Sequence, residues 1–211
     1  VIVVDKTALE ILKEYCVFEE GTSYMLIMLP RKKENRDQVE REKLNKRERR
    51  LCSSMDDMEK ALIEFRRVAD VHTDVVFRVY VSVNKRSLLK GMREFQKKLS
   101  DYQYDLLNGN KQVWTSIERL GSKWKSVLAK KNCKHDRFFM FDIDIDNTTL
   151  IGNTRMEIFR SDVGELTTVK YVGKSKNGFV LVCEPFNPND IDLPEDIELK
   201  TDAYVYVDCY N

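Results

Sequence analysis

Phe138-Phe139-Met140-Phe141-Asp142-Ile143-Asp144-Ile145-Asp146 (FFMFDIDID) is the stretch on which the reading of this chain turns. Four apolar residues enter it, which marks a strand running through a core rather than along a wet edge. Acids then alternate with isoleucines. Side chains on a strand point alternately to its two faces, so Asp142, Asp144 and Asp146 share one face and Ile143 and Ile145 the other. Like charges this close repel, and an unpaired carboxylate is costly to bury. A divalent cation resolves the conflict, because Mg²⁺ or Mn²⁺ takes carboxylate oxygens together with substrate phosphates. A solvated strand end would place acids in the same way; the apolar entry is what favours a site. Asp146-Asn147-Thr148 also reads as a turn, which would remove Asp146 from it.

Working outward, Val75–Val83 (VVFRVYVSV) is dense in β-branched and aromatic residues and predicts a strand, with Arg78 and Ser82 interrupting one face. A long helix follows, its stripe formed by Leu88, Met92, Phe95, Leu99, Tyr102 and Leu106, and Asn108-Gly109-Asn110 stops it. Trp114, Ile117, Leu120, Trp124, Val127 and Leu128 mark another helix with Gly121 as its weak point, and both tryptophans read as core residues. Upstream, Leu9, Leu12 and Cys16 give a short helix, Ser23–Leu29 a strand ended by Pro30, and Met58, Leu62, Phe65 and Val68 an amphipathic helix. Downstream, Gly178–Glu184 and Ala203–Cys209 predict two more strands. Strands alternate with helices and no internal repeat is seen. The pattern predicts an α/β or α+β chain, with a split central mixed sheet flanked by helices. Residues 1–70 read as a mostly helical N-terminal region with a polar arm at 31–50, an exposed loop or mobile helix. Residues 71–211 read as a catalytic-like α/β domain, and one continuous domain is the alternative.

The chain has 211 residues, 42% hydrophobic and 34% charged, with a net charge of +1. This excludes collagen-like and low-complexity chains, and no apolar run approaches the ~18 residues of a membrane span. The sequence opens at Val1 with no charged-then-apolar leader, and five irregularly spaced cysteines suit a reducing cytoplasm better than a disulfide framework. Charge is unevenly spread. Residues 31–50 carry ten Lys/Arg against five acids, residues 85–134 thirteen against four, and residues 186–211 one Lys against seven acids. A basic middle beside an acidic end fits a phosphate-binding surface next to a carboxylate site, although lysine-rich helices also simply solvate their outer faces.

The apolar strand ending Phe141-Asp142-Ile143-Asp144 resembles the first motif of the archaeo-eukaryotic primase superfamily, which includes the primase-polymerases. The family's second motif, Ser-x-x-Gly-x-His, is similar to Ser175-Lys176-Asn177-Gly178-Phe179-Val180, with Val180 standing where the family has its nucleotide-binding His. A third carboxylate on a later strand is expected, and both Asp202 and Asp208 compete for that place. The resemblance covers roughly residues 75–211. It implies a split sheet with an RRM-like half, a nucleoside triphosphate and a nucleic-acid template as partners, a role in DNA replication, and Mg²⁺- or Mn²⁺-dependent nucleotidyl transfer. Asp142 and Asp144 would bind metal, with Asp202 or Asp208 as the third catalytic acid. Ser175, Lys176, Gly178 and Lys174 would meet the nucleotide, with Lys170 nearby and backbone N–H groups at Asn177-Gly178 facing phosphate oxygens. The replaced His leaves a second reading, a catalytically degenerate nucleic-acid or nucleotide-binding module. Asp-rich strand ends also serve metal-dependent nucleases, which makes a third.

Other chemistries lack their signatures. Cys133-Lys134-His135-Asp136 has no second Cys/His pair at zinc-ligand spacing. His72 precedes a strand and reads as a surface or capping residue. Neither the P-loop, nor the dinucleotide fingerprint, nor the Gly-x-Ser-x-Gly elbow occurs. Tyr204, Tyr206 and Tyr210 put two or three aromatics on one strand face, for core packing or for a nucleobase. Cys183 and Cys209 read as small core residues.

Overall fold

The computed structural model describes residues 6–31, 34–35 and 47–210. The strand predicted from Phe138 forms as β5 (Phe139–Ile143). It pairs on one side with β7 (Phe179–Cys183) and on the other with β8 (Ile197–Lys200), and β6 (Val169–Lys174) lies outside β7. The strand order β6-β7-β5-β8 is entirely antiparallel. This is the split β-α-β-β-α-β plan of RRM-like sheets, with helix α6 (Leu150–Leu166) as the first crossover and a short 3₁₀ turn at Pro188–Asp190 where the second helix would stand.

A second sheet has the order β2-β1-β3-β9, from β1 (Thr22–Pro30), β2 (Glu48–Cys52), β3 (Phe77–Ser82) and β9 (Tyr204–Tyr210), with β4 (Arg86–Ser87) pairing the start of β1. All its pairings are antiparallel too, so the chain is an α+β protein with two antiparallel sheets rather than one mixed sheet. The sheet draws strands from both sides of residue 70. Residues 48–50, placed by the sequence in a polar arm, are strand β2; the middle of that arm, 36–46, lies outside the described residues, as does Val1.

Alternation decides what each sheet face does. On β1, Tyr24, Leu26 and Met28 turn inward with Val79, Val81 and Val205 onto Leu12 of α1 (Ala8–Tyr15) and Met58 and Phe65 of α2 (Met55–Val71). Thr7 and Glu10 form a capping box at the start of α1, and Ser54 caps α2. On the RRM-like sheet, Phe141, Ile143, Phe179 and Leu181 face Met156, Phe159 and Val163 of α6. The opposite face of that sheet sends Met140, Val180 and Val182 into the first core, which joins the two halves. β7 is therefore buried along its whole length, which accounts for its unbroken apolar run.

The helix predicted from Trp114 to Leu128 is two, α4 (Val113–Glu118) and α5 (Leu120–Leu128), breaking at Arg119 rather than at Gly121. α5 and α3 (Leu88–Leu107) pack through Trp124 and Phe95, 5.4 Å between ring centroids, with Leu128 over Gly91. Trp114 is not a core residue: 55% of its surface is exposed. Tyr210 turns into the first core and Tyr204 and Tyr206 lie on the other face, Tyr204 partly buried against Met25, Val127 and Leu128, because a register shift opposite Val79/Tyr80 resets the alternation of β9. Cys183 is buried as expected, and Cys209 only half so.

Candidate active site

The outward faces of the two sheets oppose each other across a cleft of about 540 Å³. The RRM-like sheet brings Asp142 and Asp144 to it, and the β6–β7 turn brings Ser175, Lys176 and Asn177. The other sheet contributes Ile27, Leu29, Arg78, Tyr80, Tyr204 and Tyr206. Tyr80 and Tyr206 meet edge to face at 6.0 Å.

Asp142 lies on β5 with Lys200 of β8 beside it, and the Lys200 ammonium donates to its Oδ2 at 2.5 Å. Burial pushes the Lys200 pKa down, but hydrogen bonds to Asp142 and Glu198 outweigh it and hold the group above its ordinary value. β5 ends at Ile143. Asp144 follows, its backbone N–H fixed on the Asp196 carbonyl at 2.8 Å, and its exposed carboxylate has no hydrogen-bond or ion-pair partner among the described residues. Asp146 does not join them. It accepts from the Thr148 N–H and hydroxyl at 2.9 and 2.7 Å, bonds that lower its pKa, in the turn that leads into α6.

The second motif forms a tight turn. The Ser175 N–H donates to the Gly178 carbonyl and the Gly178 N–H to Ser175 Oγ, at 2.8 and 3.0 Å. A Cβ on Gly178 would collide with the Ile143 carbonyl, so only glycine lets this turn lie against the end of β5. Asn147, nearly buried, stitches the two together by donating to the Ser175 and Gly178 carbonyls at 2.9 and 2.8 Å. Val180, two residues after Gly178 on β7, is 3% exposed and offers the cleft no proton donor or acceptor from its side chain.

The two competitors for a third carboxylate separate. Asp202 lines the cleft, but its oxygens are taken by a two-point pair with Arg86, at 3.0 and 3.3 Å, on a guanidinium 1% exposed. Asp208 lies in a neighbouring cavity of about 690 Å³ with Lys174, and accepts from the Cys209 N–H at 2.7 Å. Lys170 points away to Glu184 at 2.7 Å. His135 sits 3.3 Å from Glu19, outside the cleft, and His72 caps the end of α2.

Among the described residues no three His, Cys, Asp or Glu side chains gather at metal-ligating distance. Asp142 and Asp144 alone are a hard, all-oxygen pair, a donor set that suits Mg²⁺ or Mn²⁺ when phosphate oxygens supply the remaining ligands. Sequence reasoning did not assign Arg78, Lys200, Arg86 or Glu34 to the site. Arg78 had a signal, a lone charge inside an apolar strand; the others had none. Among the described residues no helix is long and apolar enough to cross a membrane. Comparison of the chain with protein-family models, with curated proteins and with solved structures finds no significant match to any of them.

Proposed function

We propose that the protein is a metal-dependent nucleotidyltransferase of primase-polymerase type acting on nucleic acid. One observation carries the reading. Two strand-end carboxylates, Asp142 and Asp144, and a Ser175–Gly178 turn carrying Lys176 open into the same cleft, opposite the aromatic and cationic wall of the other sheet. In this reading Asp142 and Asp144 would hold Mg²⁺ or Mn²⁺, which would supply neutralisation of phosphate charge for nucleotidyl transfer. Lys200 yields Asp142 and turns its ammonium to the incoming phosphate charge. Lys176 and Ser175 grip the polyphosphate. Asp202, held by Arg86, serves as a fixed acceptor at the cleft wall rather than as a metal ligand. The stretch from Arg119 through α5 to Lys134, with six Lys/Arg and no Asp or Glu, supplies a sequence-independent surface for the nucleic acid backbone.

Val180 favours a second reading, a nucleotide- or nucleic-acid-binding module on the same fold, since its buried side chain cannot perform what a His would. Calorimetric titration of Mn²⁺ and Mg²⁺, with and without a nucleoside triphosphate, separates the two when joined to extension of a labelled primer on a template. The transferase requires metal binding that the triphosphate strengthens, and incorporation that disappears in Asp142→Ala/Asp144→Ala. Strand binding with a steep salt dependence but neither metal binding nor extension would leave the module. Metal-dependent cleavage of the labelled strand in place of extension would make the site a nuclease.

A further inference from the structure

Arg78 is the central charge on the sheet wall opposite the acids, and it is only 6% exposed. Its guanidinium makes a two-point pair with Glu34, Nη2 to Oε1 at 2.5 Å and Nε to Oε2 at 3.1 Å. The same Oε1 also accepts from Lys176 Nζ at 2.6 Å. Arg78 belongs to β3 of one sheet and Lys176 to the β6–β7 turn of the other, so one carboxylate bridges the two walls of the cleft. Glu34 is placed there by its neighbour. Asn35 is 4% exposed, donates to the Val76 and Arg31 carbonyls at 3.1 and 2.9 Å, and accepts from the Val76 N–H at 2.8 Å.

A planar arginine fork and a lysine converging on two oxygens is the arrangement that recognises a phosphate as readily as a carboxylate. Three features separate this arrangement from an ordinary structural ion pair. Its two cations, Arg78 and Lys176, line the cleft together with Ser175 rather than a core. Lys176 keeps 37% of its side chain exposed. Glu34 belongs to no strand, so moving it breaks no sheet hydrogen bond. We propose that Arg78 and Lys176 form a polyphosphate-binding site, which Glu34 occupies as an internal competitor until a polyphosphate displaces it. The proposal rests on the transferase reading for its biological ligand, a nucleoside triphosphate, but the site itself needs neither metal nor nucleobase. Hydrogen bonds from Arg78 and then Lys176 hold the Glu34 pKa at about 2 against the opposing effect of burial, so the competitor stays charged at neutral pH.

The test is calorimetric titration of inorganic tripolyphosphate into the full chain, with EDTA present and at low salt. A self-occupied site binds with an affinity reduced by the fraction that is free, so Glu34→Gln is expected to bind about tenfold tighter than wild type. Arg78→Gln added to Glu34→Gln is expected to abolish the gain. Unchanged or weaker binding by a folded Glu34→Gln, judged by its thermal melting, overturns the proposal. Should that variant not fold, Lys176→Gln leaves the Arg78–Glu34 pair intact and is expected to weaken binding at least about fivefold, half or more of a decade in affinity; no change there overturns the proposal equally. The two readings fail separately. Tighter tripolyphosphate binding without nucleotide incorporation would sink the transferase and keep this site. Incorporation by wild type, with tripolyphosphate affinity indifferent to Glu34, would do the reverse.

Discussion

The wall that carries the acids comes from one continuous run of chain, β5 to β8 within residues 139–200, while the wall that carries Arg78 and the tyrosines is closed by pairing β3 with β9, about half the chain away. Their charges differ in the same way. On the acid wall, Lys200 and Asp142 are paired with about a third of each side chain exposed. At the junction of the walls, Arg86 of β4 reaches Asp202, on the link between β8 and β9, and the pair is almost wholly buried. A local motif can thus be assembled with wet, exchangeable charges, whereas a wall assembled from distant segments is tied by charges that water cannot reach.

The largest expected effect breaks that tie. Arg86→Met would leave Asp202 buried and uncompensated, and the unfolding free energy in urea is expected to fall by about 3–5 kcal/mol. Lys200→Met, which leaves its partner partly solvated, is expected to cost less than about 1 kcal/mol. Equal losses in the two variants would show that the walls do not differ in this way. The Arg86 Nε has no hydrogen-bond partner among the described residues, so replacing both members of the buried pair with apolar residues is expected to recover much of the loss.

A second substitution sharpens the comparison inside the acid wall. Gly178→Ala forces a Cβ into the Ile143 carbonyl, so the turn must retreat from the end of β5. Overpacking of this kind costs about 1–3 kcal/mol. The retreat strains both carbonyl bonds of Asn147 and shifts Lys176 relative to Asp142. Divalent-metal binding in the presence of a triphosphate is expected to weaken more than metal binding alone, and equal weakening would mean that the turn does not contribute to the triphosphate.

What could be read from the sequence follows the same division. FFMFDIDID announced a buried strand ending in acids, and the turn at Ser175–Gly178 was visible because its residues are contiguous. α6 was not legible. Its buried stripe, Gly152, Met156, Phe159 and Val163, is regular, but exposed Leu150, Ile151 and Ile158 on the other side blur the amphipathic pattern. β8, with the sequence Ile-Glu-Leu-Lys, is a short, polar edge strand recognisable only from its pairing with β5. The cations facing the acids come from β3, β4 and β8, and no spacing rule joins Arg78 or Arg86 to Asp142. Asp202 reads as a free acid in the sequence, and only the fold reveals the arginine that holds it.

The smallest expected effect is a pH dependence at the place where the two walls touch. Glu34 ionises at about 2 in the folded protein against an ordinary value of 4.5. A carboxylate whose folded pKa is depressed adds stability that is fully present above its unfolded pKa and is lost as pH falls toward the folded one. The groups facing Glu34 are Arg78 and Lys176, with Tyr80 on Arg78. The difference in unfolding free energy between wild type and Glu34→Gln isolates the pair. Allowing for solvent screening at the cleft mouth, that difference is expected to be on the order of 1 kcal/mol and level above pH 4.5, and to shrink as the pH is lowered toward 2. A difference that stayed constant through the acid range would mean that Glu34 contributes by shape and hydrogen bonding alone. The carboxylate bridge between the walls would then carry no net electrostatic stabilisation.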